Sequence, residues 1–229
     1  MDKAFSLKFK EYIKNSIIGT QHEWESHIDN IFRLFDKNLK GYLPNNIMDV
    51  GCGDGSRTIR IAKYFDIDLS KVYGIDSNDN HIKTSQNIFN AYQLDLELEA
   101  IPHDDDIFDL VICNQVLEHL KNYSKVIDEL VRVTRKMGYI AIGIPNLAHL
   151  INRIYLMFGI QPMCIHLGGP HVRSFAHKSF VKMLASLNRL KLVDCCGSLM
   201  YPLPFFLAKS FSHRFVGLSG YVCYLLQKI

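Results

Sequence analysis

The chain has 229 residues, of which 48% are hydrophobic and 21% charged, and its formal net charge at pH 7 is +3. This composition is that of a globular protein with a core large enough for one domain, and so small a net charge argues against a nucleic-acid partner. Since no apolar stretch is long enough for a membrane span and the first residues lack a signal-peptide core, we expect a cytoplasmic protein without a transmembrane segment.

Aromatic residues along 3–40 predict two N-terminal helices, which either cover the functional site or pack against the rest of the fold. From residue 46 onward, strand and helix patterns alternate, which is typical of a mostly parallel sheet with helices on both faces. The predicted strands are 46–50, 71–75, 92–96, 109–113, 138–144, 190–196 and 220–227. The predicted helices in this part are 56–65, 78–88, 124–135 and 177–188.

Three alternating glycines, Gly51, Gly53 and Gly55, form a turn between the first of these strands and the helix that follows. Without a Cβ atom the backbone can turn sharply and approach a ligand closely, and the helix behind the turn offers free N–H groups. The spacing by itself also fits a tight turn that binds nothing. However, Asp76 ends the second strand about 20 residues later, where such folds place an acid against ribose hydroxyls. Together these features predict a nucleotide-like ligand.

Four motifs follow one another in the order Asp49-x-Gly51-x-Gly53-x-Gly55, Gly74-Ile75-Asp76, Phe108-Asp109-Leu110-Val111 and Val116-Leu117-Glu118-His119-Leu120. Together they resemble the class I S-adenosylmethionine (SAM)-dependent methyltransferases, in particular the branch that contains the ubiquinone and menaquinone enzymes. The resemblance is strong over residues 40–146 and looser as far as residue 197. It implies an α/β fold with a single doubly wound, Rossmann-like sheet of seven strands in the order 3-2-1-4-5-7-6, with strand 7 antiparallel.

The resemblance also implies a division of the chain. We expect one methyltransferase domain over residues 1–229, with N-terminal helices and an insertion between strands 5 and 6. Its expected parts are an N-terminal helical cap (1–45), a SAM-binding core (46–145), an acceptor-site insertion (146–176) and the C-terminal part of the sheet (177–229).

SAM is the cofactor that the resemblance implies, with S-adenosylhomocysteine as its product. The residues expected to bind it are Asp49, Gly51, Cys52, Gly53, Asp76, Ser77, Asp95, Leu96, Asn114 and Gln115. Asp49 is expected to order the glycine turn, Asp76 to accept the ribose hydroxyls and Asp95 to hold the adenine amino group. Asp54 and Arg57 are expected to be helix-cap and surface residues.

The implied reaction is direct in-line methyl transfer, with an O-methyl product on a small molecule, a sugar or a lipid-linked glycan. The alternative is a non-catalytic SAM-binding subunit that supports a partner enzyme. For a hydroxyl acceptor, His171 in the insertion is the leading candidate for the general base and His119 is the second. As a structural residue, His119 would instead make a polar contact within the fold.

No metal is expected, because the run His103-Asp104-Asp105-Asp106 is interpreted as a solvated turn and the cysteines form no CxxC pair. The apolar segment 199–207 is too short and too rich in proline to cross a bilayer. The sequence leaves three roles for this segment, which are packing on the core, forming a dimer face and contacting a lipid-linked substrate. The sequence thus leaves peripheral membrane contact and the oligomeric state open.

Overall fold

The computed structural model describes residues 20–162, 164–165, 167–200, 211–212 and 214–229, with side chains from residue 27 onward. The first of the two expected N-terminal helices and most of the apolar segment 199–207 lie outside the described residues.

Seven strands form one sheet, namely β1 (Ile47–Val50), β2 (Val72–Asp76), β3 (Asn90–Gln93), β4 (Phe108–Asn114), β5 (Thr134–Pro145), β6 (Leu190–Ser198) and β7 (Tyr221–Lys228). Their order is β3-β2-β1-β4-β5-β7-β6. Strands β1 to β5 pair in parallel, whereas β7 runs antiparallel to both β5 and β6. The predicted α/β fold and strand order are therefore confirmed.

The described helices are α1 (Thr20–Asn38), α2 (Ser56–Tyr64), α3 (Asp79–Ser85), α4 (Tyr123–Val133), α5 (Leu150–Met157) and α6 (His177–Ser186). Short 3₁₀ turns lie at Leu69–Lys71, Leu117–His119 and Val216–Leu218. None of the helices in the described ranges combines the length and the apolar character needed to cross a membrane.

The sheet is covered on both faces, and for this reason every residue of β4 is buried. On one face, α4 and α6 bury apolar side chains such as Leu130 and Phe180 against Val111. On the other face, α1 and α2 bury side chains such as Phe35 and Ile61 against Leu110 and its neighbours. The two cores hold the carboxyl ends of β1, β2 and β4 in fixed register, which positions the candidate site.

Helix α1 packs against the sheet. Its side chains Ile31 and Phe35 have no exposed surface, and Asn30 Nδ2 donates to Ser198 Oγ of β6 at 2.7 Å. At the end of the helix, Asn38 Nδ2 donates to a carboxylate oxygen of Asp194, also in β6, at 3.0 Å. Of the two roles considered for the N-terminal region, this described helix has the packing role.

Several predicted boundaries differ from the structure by one to four residues, among them the ends of β3 and α4. Strand β3 ends at Gln93 rather than at residue 96, because Asp95 closes a turn by accepting the backbone N–H of Glu97 at 2.9 Å. Helix α4 stops at Val133, where β5 begins with Thr134, two residues before the predicted end of the helix. The insertion after β5, which shows no regular pattern in the sequence, contains α5.

Candidate active site

The three glycines between β1 and α2 all have a left-handed backbone, with φ of +77° at Gly51, +57° at Gly53 and +84° at Gly55. Glycine adopts this conformation without the steric cost that a side chain imposes. The backbone N–H groups of Gly51 and Cys52 both donate to the carbonyl oxygen of Ile75, at 2.7 and 3.1 Å. The turn is thus fastened to the end of β2.

The space left by the absent side chains is used differently at each glycine. A Cβ on Gly51 would lie 2.3 Å from Cγ2 of Val116, and one on Gly55 would lie 2.7 Å from the ring of Phe89. At Gly53 the nearest atom would be Nη2 of Arg57, at 3.9 Å. Two of the glycines therefore make room for neighbouring side chains, and Gly53 keeps an open side for a ligand.

Asp76 lies at the carboxyl end of β2, beside the glycine turn. One of its oxygens accepts the N–H of Gly53 at 2.9 Å, and the other accepts the N–H of Asn78 at 2.9 Å. His81 Nδ1 lies 3.6 Å from the second oxygen. Since a carboxylate has about four acceptor sites, it retains capacity for a vicinal diol such as ribose.

Asp49 is buried on the face of the sheet covered by α1 and α2 and accepts the hydroxyl of Thr58 at 2.6 Å. Burial raises the pKa of Asp49 to about 6, and the hydrogen bond from Thr58 and the charge of Arg57 oppose this shift. Arg57 also acts on His27 of α1, whose pKa its charge helps to lower. Arg57 is half-buried, and its Nη1 atom is buried in the fold, so its predicted surface position is wrong. Asp54 is exposed and accepts the N–H of Ser56 at the start of α2, as expected.

Four other predicted cofactor residues divide into two groups. Cys52 and Leu96 have buried side chains that belong to hydrophobic clusters, and burial raises the pKa of the Cys52 thiol. Ser77 and Asp95 are exposed just beyond the ends of β2 and β3. The first two contribute packing, whereas the last two expose polar groups beyond the carboxyl ends of their strands.

Asn114 and Gln115 end β4 in an unusual way. A Cβ on the neighbouring Gly143 would lie 1.9 Å from Oδ1 of Asn114, so this amide lies directly over the glycine of β5. Among the described residues, neither polar side-chain atom of the buried Asn114 has a hydrogen-bond partner. Gln115 has φ of +61°, a strained value for a residue with a side chain. The chain changes direction here, so that Val116 reaches the glycine turn.

The two candidate bases, predicted from distant parts of the sequence, lie side by side. The ring centroids of His119 and His171 are 4.8 Å apart, with the planes at 70°. Nδ1 of His119 lies 3.2 Å from the carbonyl oxygen of Pro170, and Nδ1 of His171 lies 2.7 Å from that of Cys164. Because a carbonyl oxygen only accepts, each Nδ1 carries a hydrogen, and the neutral form of either ring has its lone pair on Nε2. Partial desolvation lowers the pKa of His119.

Glu118 completes this group. Its side chain is buried, with 1% of the residue exposed, and neither carboxyl oxygen has a hydrogen-bond partner among the described residues. Burial raises its pKa to about 8. Each of Glu118, His119 and His171 offers one possible ligand atom for a metal, and these three atoms lie within 4.8 Å of one another. Glu118 was not among the predicted site residues, although its position next to His119 in the fourth motif was a signal for it.

The insertion is attached to the same turn by its backbone. The carbonyl oxygen of Glu118 accepts the N–H groups of Val172 and Arg173, at 2.9 and 3.0 Å. The guanidinium of Arg173 donates to the carbonyl oxygen of Lys121 at 2.8 Å. These bonds hold His171 against the segment that follows β4.

Comparison with known proteins identifies the family. Residues 48–142 match the family described as a methyltransferase domain. Over 176 residues, the chain is 26% identical to a ubiquinone biosynthesis O-methyltransferase of Coxiella burnetii, covering 72% of this chain and 70% of that protein. With the strand order of the sheet, the family match identifies a class I SAM-dependent methyltransferase domain over residues 48–142.

Other relatives resemble shorter parts of this chain. Ajmaline N-methyltransferase of Rauvolfia serpentina is 34% identical over 97 residues, which are 39% of this chain and 32% of that enzyme. The alignment with norajmaline N-methyltransferase of the same plant covers 52% of this chain and 42% of that enzyme. The chain thus spans less than half the length of these two relatives.

Solved structures share the fold. N-methyltransferase NodS of Bradyrhizobium japonicum, in complex with S-adenosyl-L-homocysteine, has a TM-score of 0.58 and 15% identity, covering 90% of this chain and 87% of NodS. A SAM-dependent methyltransferase of Archaeoglobus fulgidus has a TM-score of 0.55 and 16% identity, covering 99% of this chain and all of the other. The site described above fits their cofactor, since Gly53 leaves open space beside the acceptor oxygens of Asp76.

The buried His149, in the insertion after β5, supports a prediction about how stability depends on pH. Burial lowers its pKa to about 4 from 6.5, so between these values the unfolded chain binds more protons at this residue than the folded chain. Acidification therefore removes stability through His149, by up to about 1.4 kcal/mol for each pH unit. Asp49 and Glu118 have raised pKa values and act in the opposite sense.

Because these opposing contributions add up in the wild type, the contribution of His149 is measured as a difference in unfolding free energy between the wild type and His149→Gln. The free energy of urea unfolding should fall for the wild type relative to His149→Gln as the pH decreases from about 6.5 to 4.5, by roughly 1–2.5 kcal/mol. A difference that stays constant over this range would show that the pKa of His149 is the same in the folded and unfolded chains.

Proposed function

We propose that this chain transfers a methyl group from SAM to a hydroxyl group of a small molecule, a sugar or a lipid-linked glycan. The observation that supports this most strongly is the contact of Val116 with Gly51. Val116 immediately precedes the 3₁₀ turn Leu117–His119, and His119 adjoins His171. Groups able to accept a proton thus lie next to the glycine turn at which this family binds its methyl donor.

The proposed contacts with the cofactor follow the polar groups around the glycine turn. Asp76 accepts the ribose hydroxyls with its remaining lone pairs, and Gly53 allows the close approach. Ser77 and Asp95 lie toward the adenine. At the methionyl end, the proposed residues are Asn114, whose unpartnered amide gives it spare hydrogen-bonding capacity, and Gln115. In addition, Gly51 shapes the turn, Asp49 anchors it through Thr58, and Cys52 and Leu96 support it by packing.

When bound, SAM supplies a methyl group activated by the positive charge of its sulfonium. The residues of this chain hold the acceptor in line with that group, exclude water and take up the hydroxyl proton. The acceptor oxygen forms a bond to the methyl carbon while the carbon–sulfur bond breaks, and sulfur keeps the electron pair of that bond. The hydroxyl proton passes to the histidine pair, where His171 is the first candidate for the base and His119 the second. Holding the reactants in line contributes on the order of 7–11 kcal/mol in favourable systems.

Two observations support a hydroxyl on a lipid-linked acceptor. The Coxiella relative, which aligns with most of this chain, is named an O-methyltransferase. In addition, α5 and the turn after it expose apolar side chains to water, with Met157 81% and Phe158 73% exposed. Apolar patches of this kind often mark contacts with other molecules, and this one lies in the proposed acceptor insertion. No observation favours the alternative of a non-catalytic SAM-binding subunit.

The test of this function is methyl transfer from labelled SAM to fractionated cell extracts. We expect label in the organic phase that contains lipid-linked glycans, and mass spectrometry should find a gain of one methyl group on an acceptor oxygen. Label confined to the aqueous phase would select a soluble sugar or small molecule instead. No transfer to any fraction, by a protein that binds SAM, would favour the supporting subunit.

Replacement of Asp76 gives a prediction for the cofactor. Asp76→Ala removes the acceptor of two ribose hydroxyls, and we expect a loss of about 1.5–3 kcal/mol in SAM binding, or a roughly 10- to 150-fold higher Kd. Calorimetry on ligand-free protein measures this change. The matched control is Asn78→Ala, which removes the cap that accepts the N–H groups of Asn80 and His81 at 3.0 and 3.3 Å. It should cost about 1 kcal/mol of stability and leave the Kd for SAM nearly unchanged. Equal affinity of Asp76→Ala and wild type would mean that the ribose binds elsewhere.

A further inference from the structure

We propose that Glu118, His119 and His171 form a binding site for a divalent transition-metal ion. Their ligand atoms come from two separate segments, the turn after β4 and the insertion, and lie within 4.8 Å of one another. No metal is expected from the sequence, on the grounds that the run 103–106 is a solvated turn and the cysteines form no CxxC pair. That expectation does not take these two segments together, because they are far apart along the chain.

The donor set indicates the class of ion. One carboxylate and two imidazoles form a set that binds Zn²⁺, Fe²⁺ and similar first-row ions, whereas Mg²⁺ and Ca²⁺ prefer oxygen ligands alone. Three protein ligands also leave at least one coordination position open, as catalytic rather than structural zinc sites do. We therefore expect selectivity for Zn²⁺ and Mn²⁺ over Mg²⁺.

The two histidines are already oriented as metal ligands usually are. A ligating histidine commonly donates its other ring N–H to a carbonyl or carboxylate, which fixes the tautomer and the orientation of the ring. Here Nδ1 of His119 faces the carbonyl oxygen of Pro170, and Nδ1 of His171 faces that of Cys164. Both partners are backbone atoms of the insertion, so the Nε2 lone pairs are held in position independently of any other side chain.

The buried carboxyl group of Glu118 supports the site independently of the histidine geometry. A buried carboxyl group without a hydrogen-bond partner is unfavourable, and such groups are usually paired or bound to a metal. Among the described residues, no cationic side chain is in an ion pair with Glu118, and neither of its oxygens has a partner. A cation between this carboxylate and the two imidazoles would satisfy it.

The site is slightly wider than a coordinated ion requires. Bonds of about 2.0–2.2 Å to nitrogen and oxygen place neighbouring ligand atoms roughly 3–3.5 Å apart. Binding would thus draw the side chains together by about an ångström or more. His119 is exposed and His171 is half-buried, which leaves both rings room to make this adjustment.

The role of the ion, unlike its binding, rests on the proposed function. With the acceptor oxygen in its open position, the cation would lower the pKa of the hydroxyl, as metal ions do for bound water. The hydroxyl would then lose its proton to solvent, the resulting alkoxide would attack the methyl carbon, and the electron pair of the carbon–sulfur bond would go to sulfur. Under this proposal the histidine pair activates the acceptor through the metal rather than as a free base.

The test is metal binding to the chelator-treated full chain, measured by calorimetry with Zn²⁺ and Mn²⁺ in the absence of SAM and acceptor. We expect one ion per chain with a Kd in the micromolar range or below, and a rise in Tm on addition of the metal. Glu118→Gln and His171→Ala should each weaken binding by about 10²-fold or more, because the loss of an outer-shell partner alone already costs about 10- to 100-fold. In the electron paramagnetic resonance spectrum of bound Mn²⁺, nitrogen couplings should identify two imidazole ligands.

His103→Gln is the matched control, because His103 lies beside the acidic run 104–106, a second group of side chains that attracts cations. It should bind the metal as wild type does. Glu118→Gln keeps the shape of the buried side chain, and the more accessible His171→Ala serves as a second variant should the first fail to fold. Binding with wild-type affinity by the folded ligand variants, or binding well below one ion per chain, would overturn the site.

A parallel titration with SAM separates the two proposals. A protein that binds SAM and transfers methyl groups equally well with and without chelator has the proposed function and lacks the metal role. A protein that binds one ion at these ligands and transfers no methyl group retains the metal site and lacks the proposed function.

Discussion

His171→Ala should transfer methyl groups at least about 10²-fold more slowly than wild type once an acceptor is known, while its Kd for SAM stays within a few-fold. The variant removes the imidazole that adjoins His119 at 4.8 Å, and with it either the base or a ligand of the activating ion. Single-turnover rates measure the chemical step, and calorimetry measures the cofactor affinity. His119→Ala should lower the same rate, and a double variant should lose little more than the worse single variant if the pair acts as a unit.

His177→Gln is the control for this series. His177 is another half-buried histidine, and its Nδ1 lies 3.1 Å from the hydroxyl of Tyr224, away from the pair. We expect a turnover rate close to that of wild type. If His171→Ala also retained the wild-type rate, proton removal would depend on another group, and the proximity of the two rings would be structural. Equal losses in rate and SAM affinity would instead indicate that His171 holds the cofactor side of the site.

The sequence predicts the fold well, and it predicts a site beside the glycine turn, because the information for both is local. The glycine turn, β2 and Asp76 lie within a short stretch of chain, and the hydrogen bond from Gly53 to Asp76 joins groups that the spacing already brings together. The acceptor side depends on contacts between distant segments. His171 reaches His119 only because the backbone of the insertion binds the carbonyl of Glu118, and no periodicity in the sequence reports such a bond.

Residue roles near the cofactor were harder to predict than residue positions. Glycine at position 51 is interpreted from the sequence as an opening for a ligand, whereas the structure fills that space with Val116. Arg57 follows the exposed Asp54 and Ser56 in a polar stretch, yet it turns into the fold toward Asp49. Composition indicates which residues are polar, but it does not indicate which of them balance a buried charge.

Gly51→Ala is the second change with a large expected effect. The substitution forces a side chain into a left-handed backbone, at φ of +77°, and also brings its Cβ to 2.3 Å from Cγ2 of Val116. The first effect costs about 1–3 kcal/mol and the overpacking a further 1–3 kcal/mol. Because the glycine turn must shift to relieve the contact, SAM affinity should fall at least tenfold. Urea unfolding and calorimetry measure the two losses.

Gly41→Ala separates the two contributions to the stability loss. Gly41 has nearly the same backbone, with φ of +80°, but a Cβ there would have no atom within 4 Å, so only the backbone cost applies. Adding Val116→Ala to Gly51→Ala should recover the overpacking part, because the remaining Cβ of residue 116 would lie at an ordinary 3.6 Å. If Gly41→Ala and Gly51→Ala lower the free energy of unfolding equally, Val116 moves away from the new Cβ without strain. The turn that carries Glu118 and His119 would then not be rigidly coupled to the cofactor site, and the proposed alignment of acceptor and methyl donor would have to depend on the insertion instead.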